Sequence, residues 1–259
     1  IFPFTEAARR MGPNSVNHIR LVFAVVFLTI ISLIVLPISF TGLFTSPHLE
    51  HWIWFGASGL IGLALGDYFG FTSFVILGPR IASIFTTLAP AAALFGGYFI
   101  IGERINFIGI IGILITIGGV VWLSLNRGGS EKMKDHAIGK VGKGILFGIL
   151  SAICQGTGVV LANKGFQTQI DNTDLPVFQA TWIRMICATS IMYAFTILRG
   201  KFKEINQPVR ENKNNGLIYA LGGTIFGPVI GVSLSMLTIS LLHDKPSVAQ
   251  TIFALLPVF

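Results

Sequence analysis

Charge is what this chain has least of. Asp, Glu, Lys and Arg make up 11% of its 259 residues, against about 25% in soluble domains. With 53% hydrophobic residues and a mean hydropathy of +0.76, it has more apolar surface than a soluble core absorbs, and the excess must face lipid. Acids are scarcer than bases, 11 against 18, for a net charge of +7. The bases sit in short stretches between apolar runs, so they read as membrane-orientation signals, and no nucleic-acid partner is expected. The two cysteines, Cys154 and Cys187, lie inside apolar runs; that excludes a disulfide framework and leaves them as small packing residues. The five histidines (His18, His48, His51, His136, His243) fall in expected loops or at span ends, with no ligand pair inside a span, so no metal or other cofactor is expected. Gly56-Ala57-Ser58-Gly59 matches a Gly-x-Ser-Gly pattern, but an intramembrane serine protease also needs a membrane-embedded histidine base. An intramembrane aspartyl protease needs two facing aspartates, and Asp67 is the one acid well inside a span. An enzyme is therefore not expected.

What is present is long apolar runs. A helix needs about 20 such residues to cross a bilayer, and complete spans are expected at 20–42, 52–77, 81–101, 105–125, 144–163, 177–198 and 217–242. A further span starts near 247, and residues 1–8 read as the tail of another. The chain starts at Ile1 and stops at Phe259 inside an apolar run, so both ends read as cut. Residues 126–142, with Arg127-Gly128-Gly129-Ser130 followed by dense charge, read as a hydrophilic linker. It divides the chain into a first repeat, 1–125, and a second, 143–259.

The two parts are copies. Gly59-Leu60-Ile61-Gly62-Leu63-Ala64-Leu65-Gly66 lies over Thr224-Ile225-Phe226-Gly227-Pro228-Val229-Ile230-Gly231 at an offset of 165. Ile81 to Pro90 lies over Val248 to Pro257 at an offset of 167, and His18-Ile19-Arg20-Leu21 over Trp182-Ile183-Arg184-Met185 at 164. A tandem duplication with small loop changes explains the drift. Five spans per unit is an odd number, so the copies enter the membrane from opposite sides, as an inverted repeat. Glycines at four-residue spacing (Gly62, Gly66, Gly70; Gly223, Gly227, Gly231) read as close helix packing. Fourteen Lys and Arg fall on the side holding residues 4–20, 78–80, 126–143 and 199–216, against Arg104, Lys164, Arg184 and Lys245 on the other. By the positive-inside rule the first side is cytoplasmic.

The ordered pattern Arg80-Ile81-Ala82-Ser83, Leu88-Ala89-Pro90, Gly102-Glu103-Arg104, Gly109 and Gly118-Gly119-Val120, with Asp67-Tyr68 in the third span, resembles the EamA-type permeases of the drug/metabolite transporter superfamily. The resemblance covers essentially the whole chain in two copies. It implies an all-α, polytopic, ten-helix fold with a cavity between the halves. About one helix would precede Ile1, and about one and a half would follow Phe259. It implies movement of a small metabolite (amino-acid-like, amphipathic or drug-like) across a bacterial or archaeal cytoplasmic membrane by alternating access. The partners are then a small-molecule substrate, the lipid bilayer and protons as the candidate coupling ion. The family's usual orientation places the linker outside, opposite to the charge count. A non-transporting scaffold of the same fold is the alternative, although it would not need a buried acid and in-span glutamines.

The candidate substrate-binding residues are Asp67, Tyr68, Gln155, Gln179, Arg20 and Arg184. Asp67 sits about 4 Å from the middle of its span, where an ionised acid is expensive unless protonated, paired or wetted. Its copy is Val232, so the fold itself does not require an acid. Asp67 is read as a contact for a substrate amine or a proton-coupling site. Arg20 and Arg184 open corresponding spans; they are candidates for anions at a cavity rim, but snorkelling to the headgroups is the favoured reading. Gln155 and Gln179 are read equally as cavity lining or as interhelical hydrogen bonds. Lys164 reads as an interface anchor, Glu103-Arg104 as a helix-capping turn, and Pro90 and Pro257 as equivalent mid-helix kinks.

Overall fold

The computed structural model describes residues 2–104, 138–168, 175–211, 215–241 and 246–253, with isolated positions between 107 and 122. Among the described residues the regular secondary structure is all helical. In chain order the helices are α1 (Phe2–Met11), α2 (Pro13–Val35), α3 (Gly42–Thr45) and α4 (Leu49–Leu77), followed by α5 (Pro79–Thr86) and α6 (Ala89–Ile100). After them come α7 (Ile138–Gln167), α8 (Val177–Leu198), α9 (Phe202–Arg210), α10 (Gly216–Leu241) and α11 (Pro246–Phe253). Six stretches among the described residues are long and apolar enough to cross a bilayer: α2, α4, Ile81–Ile100, Val141–Gln167, α8 and α10. The expected span at 105–125 and most of the linker lie outside the described residues.

Local chemistry sets the helix ends. Gly12 (φ 90°) precedes Pro13, and Gly78 (φ 82°) precedes Pro79. Each Gly-Pro step turns a sharp corner that a side chain at the glycine would strain, and the proline sits where a helix start lacks a partner for its N–H anyway. The expected loop at 4–20 is therefore α1, a one-residue corner and the first turns of α2. That span starts at 13, seven residues earlier than its apolar run suggests, and ends where Leu36 (ψ 141°) is extended by the following Pro37. The linker is likewise shortened, since α7 is helical from Ile138. Within 199–216 lies α9, whose buried Ile205 turns inward while Lys203 and Gln207 stay exposed. Pro90 does not kink a continuous helix: the chain breaks at Thr87–Leu88 and restarts with Pro90 in the first turn of α6.

The packing is inverted relative to a soluble protein. Val26, Ile30, Ile34, Phe99, Phe195 and Leu198 are exposed, whereas Asn17, His18, Arg20, Ser58, Asn163, Gln179 and Arg184 are buried. Apolar outer faces suit lipid, and many of the buried polar groups pair between helices, although both amide atoms of Asn163 are buried without a hydrogen-bond partner. Trp182 Nε1 donates to Thr29 Oγ1 (2.8 Å), His18 Nε2 bonds Thr196 Oγ1 (2.8 Å), and Asn17 Nδ2 reaches Met192 Sδ (3.6 Å). Low numbers on α2 meet high numbers on α8 and the reverse, so these helices, which carry equivalent segments of the two copies, run antiparallel. The same holds for α4 and α7, tied by Ser151 Oγ to the Gly66 carbonyl (2.7 Å) and Ser73 Oγ to the Gly144 carbonyl (2.9 Å). Close approach is needed here: a Cβ on Gly158 would stand 2.8 Å from the Gly62 Cα, and one on Gly59 would overlap the Arg184 carbonyl.

Candidate functional site

Both copies of the conserved-length glycine segment contain a widened turn. Gly59–Leu65 in α4 and Ile225–Gly231 in α10 are π-helical, and such turns loosen the i→i−4 ladder, often at functional positions. In α10, Pro228 sits inside the turn and has no N–H to give. In α4, carbonyls of the turn are taken by side chains of α2. Asn17 Nδ2 donates to the Ala64 carbonyl (2.9 Å), and Arg20 donates to the Leu63 carbonyl (3.1 Å). Arg20 Nε also donates to Asn17 Oδ1 (3.0 Å), and the terminal nitrogen that reaches Leu63 also pairs with the Asp67 carboxylate. Arg20 is 3% exposed and Asp67 21%, so the base is held in the wall and the acid faces open space.

That space is a cavity of about 450 Å³ between the two halves. Along α4 its wall is formed by Leu63, Asp67, Phe71 and Phe74, the i, i+4, i+8, i+11 face of a helix. From α7 come Gln155 and Val159, from α8 Arg184, and from α10 Gly231, Val232, Ser235 and Met236. Phe4, Thr86, Phe226 and Gln250 complete the wall. The body of the cavity is aromatic and aliphatic, with three charged residues, Arg20, Asp67 and Arg184, among the described lining.

Arg184 is the second of those charges to be fixed by the duplication. It is 4% exposed. One terminal N–H donates to Met236 Sδ (2.9 Å), while its Nε is buried without a hydrogen-bond partner. Among the described residues no carboxylate lies within ion-pair distance of it; Asp67 is near enough to interact electrostatically but is hydrogen-bonded by Arg20. Among the described residues the inner cavity thus holds two guanidinium groups and one carboxylate.

Four of the expected residues, Arg20, Asp67, Gln155 and Arg184, are brought together on this cavity. The favoured snorkelling reading of the arginines is corrected: both are buried in the bundle, and Arg20 finds there a carboxylate, the Asn17 amide oxygen and the Leu63 carbonyl in place of the acceptors a headgroup would supply. Gln179 and Tyr68 are corrected as well. Gln179, 1% exposed, uses its amide nitrogen on the Gly42 and Leu43 carbonyls (both 3.3 Å) and on Ser46 Oγ (2.7 Å), tying α3 to α8. Tyr68 is one residue, about 100° around a helix, from the lining face and turns its ring to Phe69. Sequence reasoning missed Asn17, Thr86, Ser235, Gln250 and the phenylalanines. Gln250 and Ser83 are equivalent in the duplication, the one hint that this position faces inward. His18 is buried within α2 and bonds Thr196 and the Asn14 carbonyl rather than Ser58; Ser58 gives its proton to the Gly158 carbonyl. No nucleophile–base pair forms there.

A bundle of apolar helices around a polar-centred cavity defines a multi-pass membrane protein with the architecture of a solute carrier. Residues 1–125 match the model of the EamA-like transporter family, which is part of the drug/metabolite transporter superfamily. No curated protein matches it at a significant level. A solved crystal structure is similar over 100% of this chain and 85% of its own, with a TM-score of 0.55 at 16% identity, a likeness of fold alone.

Proposed function

We propose that the protein moves a small solute across the cytoplasmic membrane of a bacterium or archaeon by alternating access between its two halves. The observation that supports this best is the cavity itself. It draws walls from both parts of the chain, and Arg20, Asp67 and Arg184 all line it. Charged groups at membrane depth are costly and are kept where they meet a solute or ion. The antiparallel α2 and α8, and the widened turns at equivalent places in α4 and α10, supply two similar half-sites that can rock about a fixed centre. Protonation of Asp67 would release Arg20, which gives a proton a route to act on the solute site.

The experiment is reconstitution into liposomes with a pooled metabolite mixture, with and without a pH gradient, every component followed by mass spectrometry. Uptake of one component class by wild type, with its pH-gradient dependence lost in Asp67→Asn, is expected. Uptake whose pH dependence survives Asp67→Asn would remove Asp67 from proton coupling. No uptake by folded, inserted protein, from a pool spanning acids, amines, zwitterions and neutral solutes, would refute the transport reading.

A further inference from the structure

We propose that the solute is an organic anion whose oxyanion group is received by Arg184, with an apolar body lying on the phenylalanine wall. The inference rests on the transport reading for its cavity and adds the substrate class. It starts from a charge count. Among the described residues Asp67 is the one acid on the cavity wall, and Arg20 holds it. Arg184 is 4% exposed and its Nε is buried with no partner; Met236 Sδ, a weak acceptor, takes one of its N–H groups. A guanidinium carries five donors in a planar fork that matches a carboxylate or phosphate. Here that fork borders the cavity in a low-dielectric bundle, beside a pair that already balances. The missing element is one negative charge.

The rest of the wall says what carries that charge. Phe4, Phe71, Phe74 and Phe226 line the same cavity, so a solute with an apolar or aromatic body gains more there than a compact inorganic ion does. A cation would add a third positive group to the two arginines. A zwitterion would leave the excess charge unbalanced, since Asp67 is already engaged.

The test uses four probes of one shape on the full-length protein: phenylacetate, phenylacetamide, phenethylamine and L-phenylalanine. Binding is measured by calorimetry in detergent, and uptake in liposomes. Phenylacetate is expected to bind, with the amide, amine and zwitterion weaker by about tenfold or more. Arg184→Gln is expected to erase that preference, and Arg184→Lys to keep part of it. A structural arginine would lower thermal stability when removed. Because this one is uncompensated, ligand-free Arg184→Gln is expected to unfold no earlier than wild type, which also shows that the variant folds. Equal or tighter binding of the amide, amine or zwitterion overturns the anion inference while leaving transport standing. Arg184-dependent binding of phenylacetate without uptake supports the anion site and counts against transport. Absence of phenylacetate binding at millimolar concentration overturns the inference.

Discussion

Replacing Asp67 with Asn removes the one acid that the described residues place on the cavity and takes from Arg20, buried at 3% exposure, its ion-pair partner. Breaking a buried pair by deleting one partner costs about 3–5 kcal/mol, whereas replacing both members with neutral groups is often near neutral. Two features place Asp67→Asn at the low end, about 3 kcal/mol. Asp67 keeps 21% of its surface in the cavity, where water can reach the orphaned guanidinium. Arg20 also keeps Asn17 Oδ1 and the Leu63 carbonyl. The Arg20→Gln/Asp67→Asn double variant is expected to return to within about 1 kcal/mol of wild type, so the two single losses do not add. The assay is unfolding by increasing SDS in mixed micelles, read by circular dichroism and worked as a double-mutant cycle. If Asp67→Asn costs under about 0.5 kcal/mol, or if the two losses are additive, the pair is not what holds Arg20 in the wall.

Other sites give sharper contrasts between structure and transport. Gln179→Ala removes the ties to Gly42, Leu43 and Ser46; a loss of about 1–2 kcal/mol in SDS unfolding is expected, with solute affinity unchanged, and an affinity change would return Gln179 to the binding site. Gly59→Ala places a methyl group against the Arg184 carbonyl. Overpacking of this kind costs about 1–3 kcal/mol, and since α8 must shift, solute affinity is expected to fall with stability in the same titration. A single cysteine placed within 126–142, in a background with Cys154 and Cys187 replaced by Ser, is expected to react with an impermeant maleimide in inverted vesicles only. Labelling of intact cells would reverse the orientation drawn from the loop charges.

How much of this was legible in the sequence depends on how local each cause is. The span 177–198 is read to the residue because its limits are local: Pro176 before it, Arg199-Gly200 after it. The span around α2 is misplaced because His18 and Arg20 look like residues that must reach water. Their partners are Thr196 and Asp67, which lie 178 and 47 positions away, and no window of hydropathy contains them. Gln179 fails for the same reason, since its acceptors lie some 135 residues upstream. The duplication is more informative. It pairs Arg20 with Arg184 and locates both widened turns through the repeated glycines. A glycine spacing reports closeness, however, and does not reveal that the local ladder has slipped to i→i+5. Most of the linker and of the span at 105–125 lies outside the described residues.

The copy that Asp67 lacks offers the strictest test of the charge argument. Arg20 and Arg184 are equivalent in the duplication, and so are Asp67 and Val232. Val232 lines the same cavity, one helical turn before Met236, whose sulfur already accepts from Arg184. Residues four apart share a helix face, so an acid at 232 reaches toward the guanidinium as Asp67 reaches toward Arg20. Val232→Asp would build the second ion pair and bring the inner charges to two and two. In an otherwise apolar bundle an added acid should destabilise, by roughly the cost of any charge at that depth, about 2.5–3.5 kcal/mol. Beside an uncompensated arginine most of that cost is offset, and near-wild-type SDS unfolding is expected. Phenylacetate binding, by contrast, is expected to fall about tenfold or more, because the incoming carboxylate now competes with a resident one. A Val232→Asp protein that keeps wild-type phenylacetate affinity would show that Arg184 is not the group the anion neutralises. A stable fold with anion binding lost would show that one missing acid, in an otherwise duplicated frame, sets the charge of what the cavity takes.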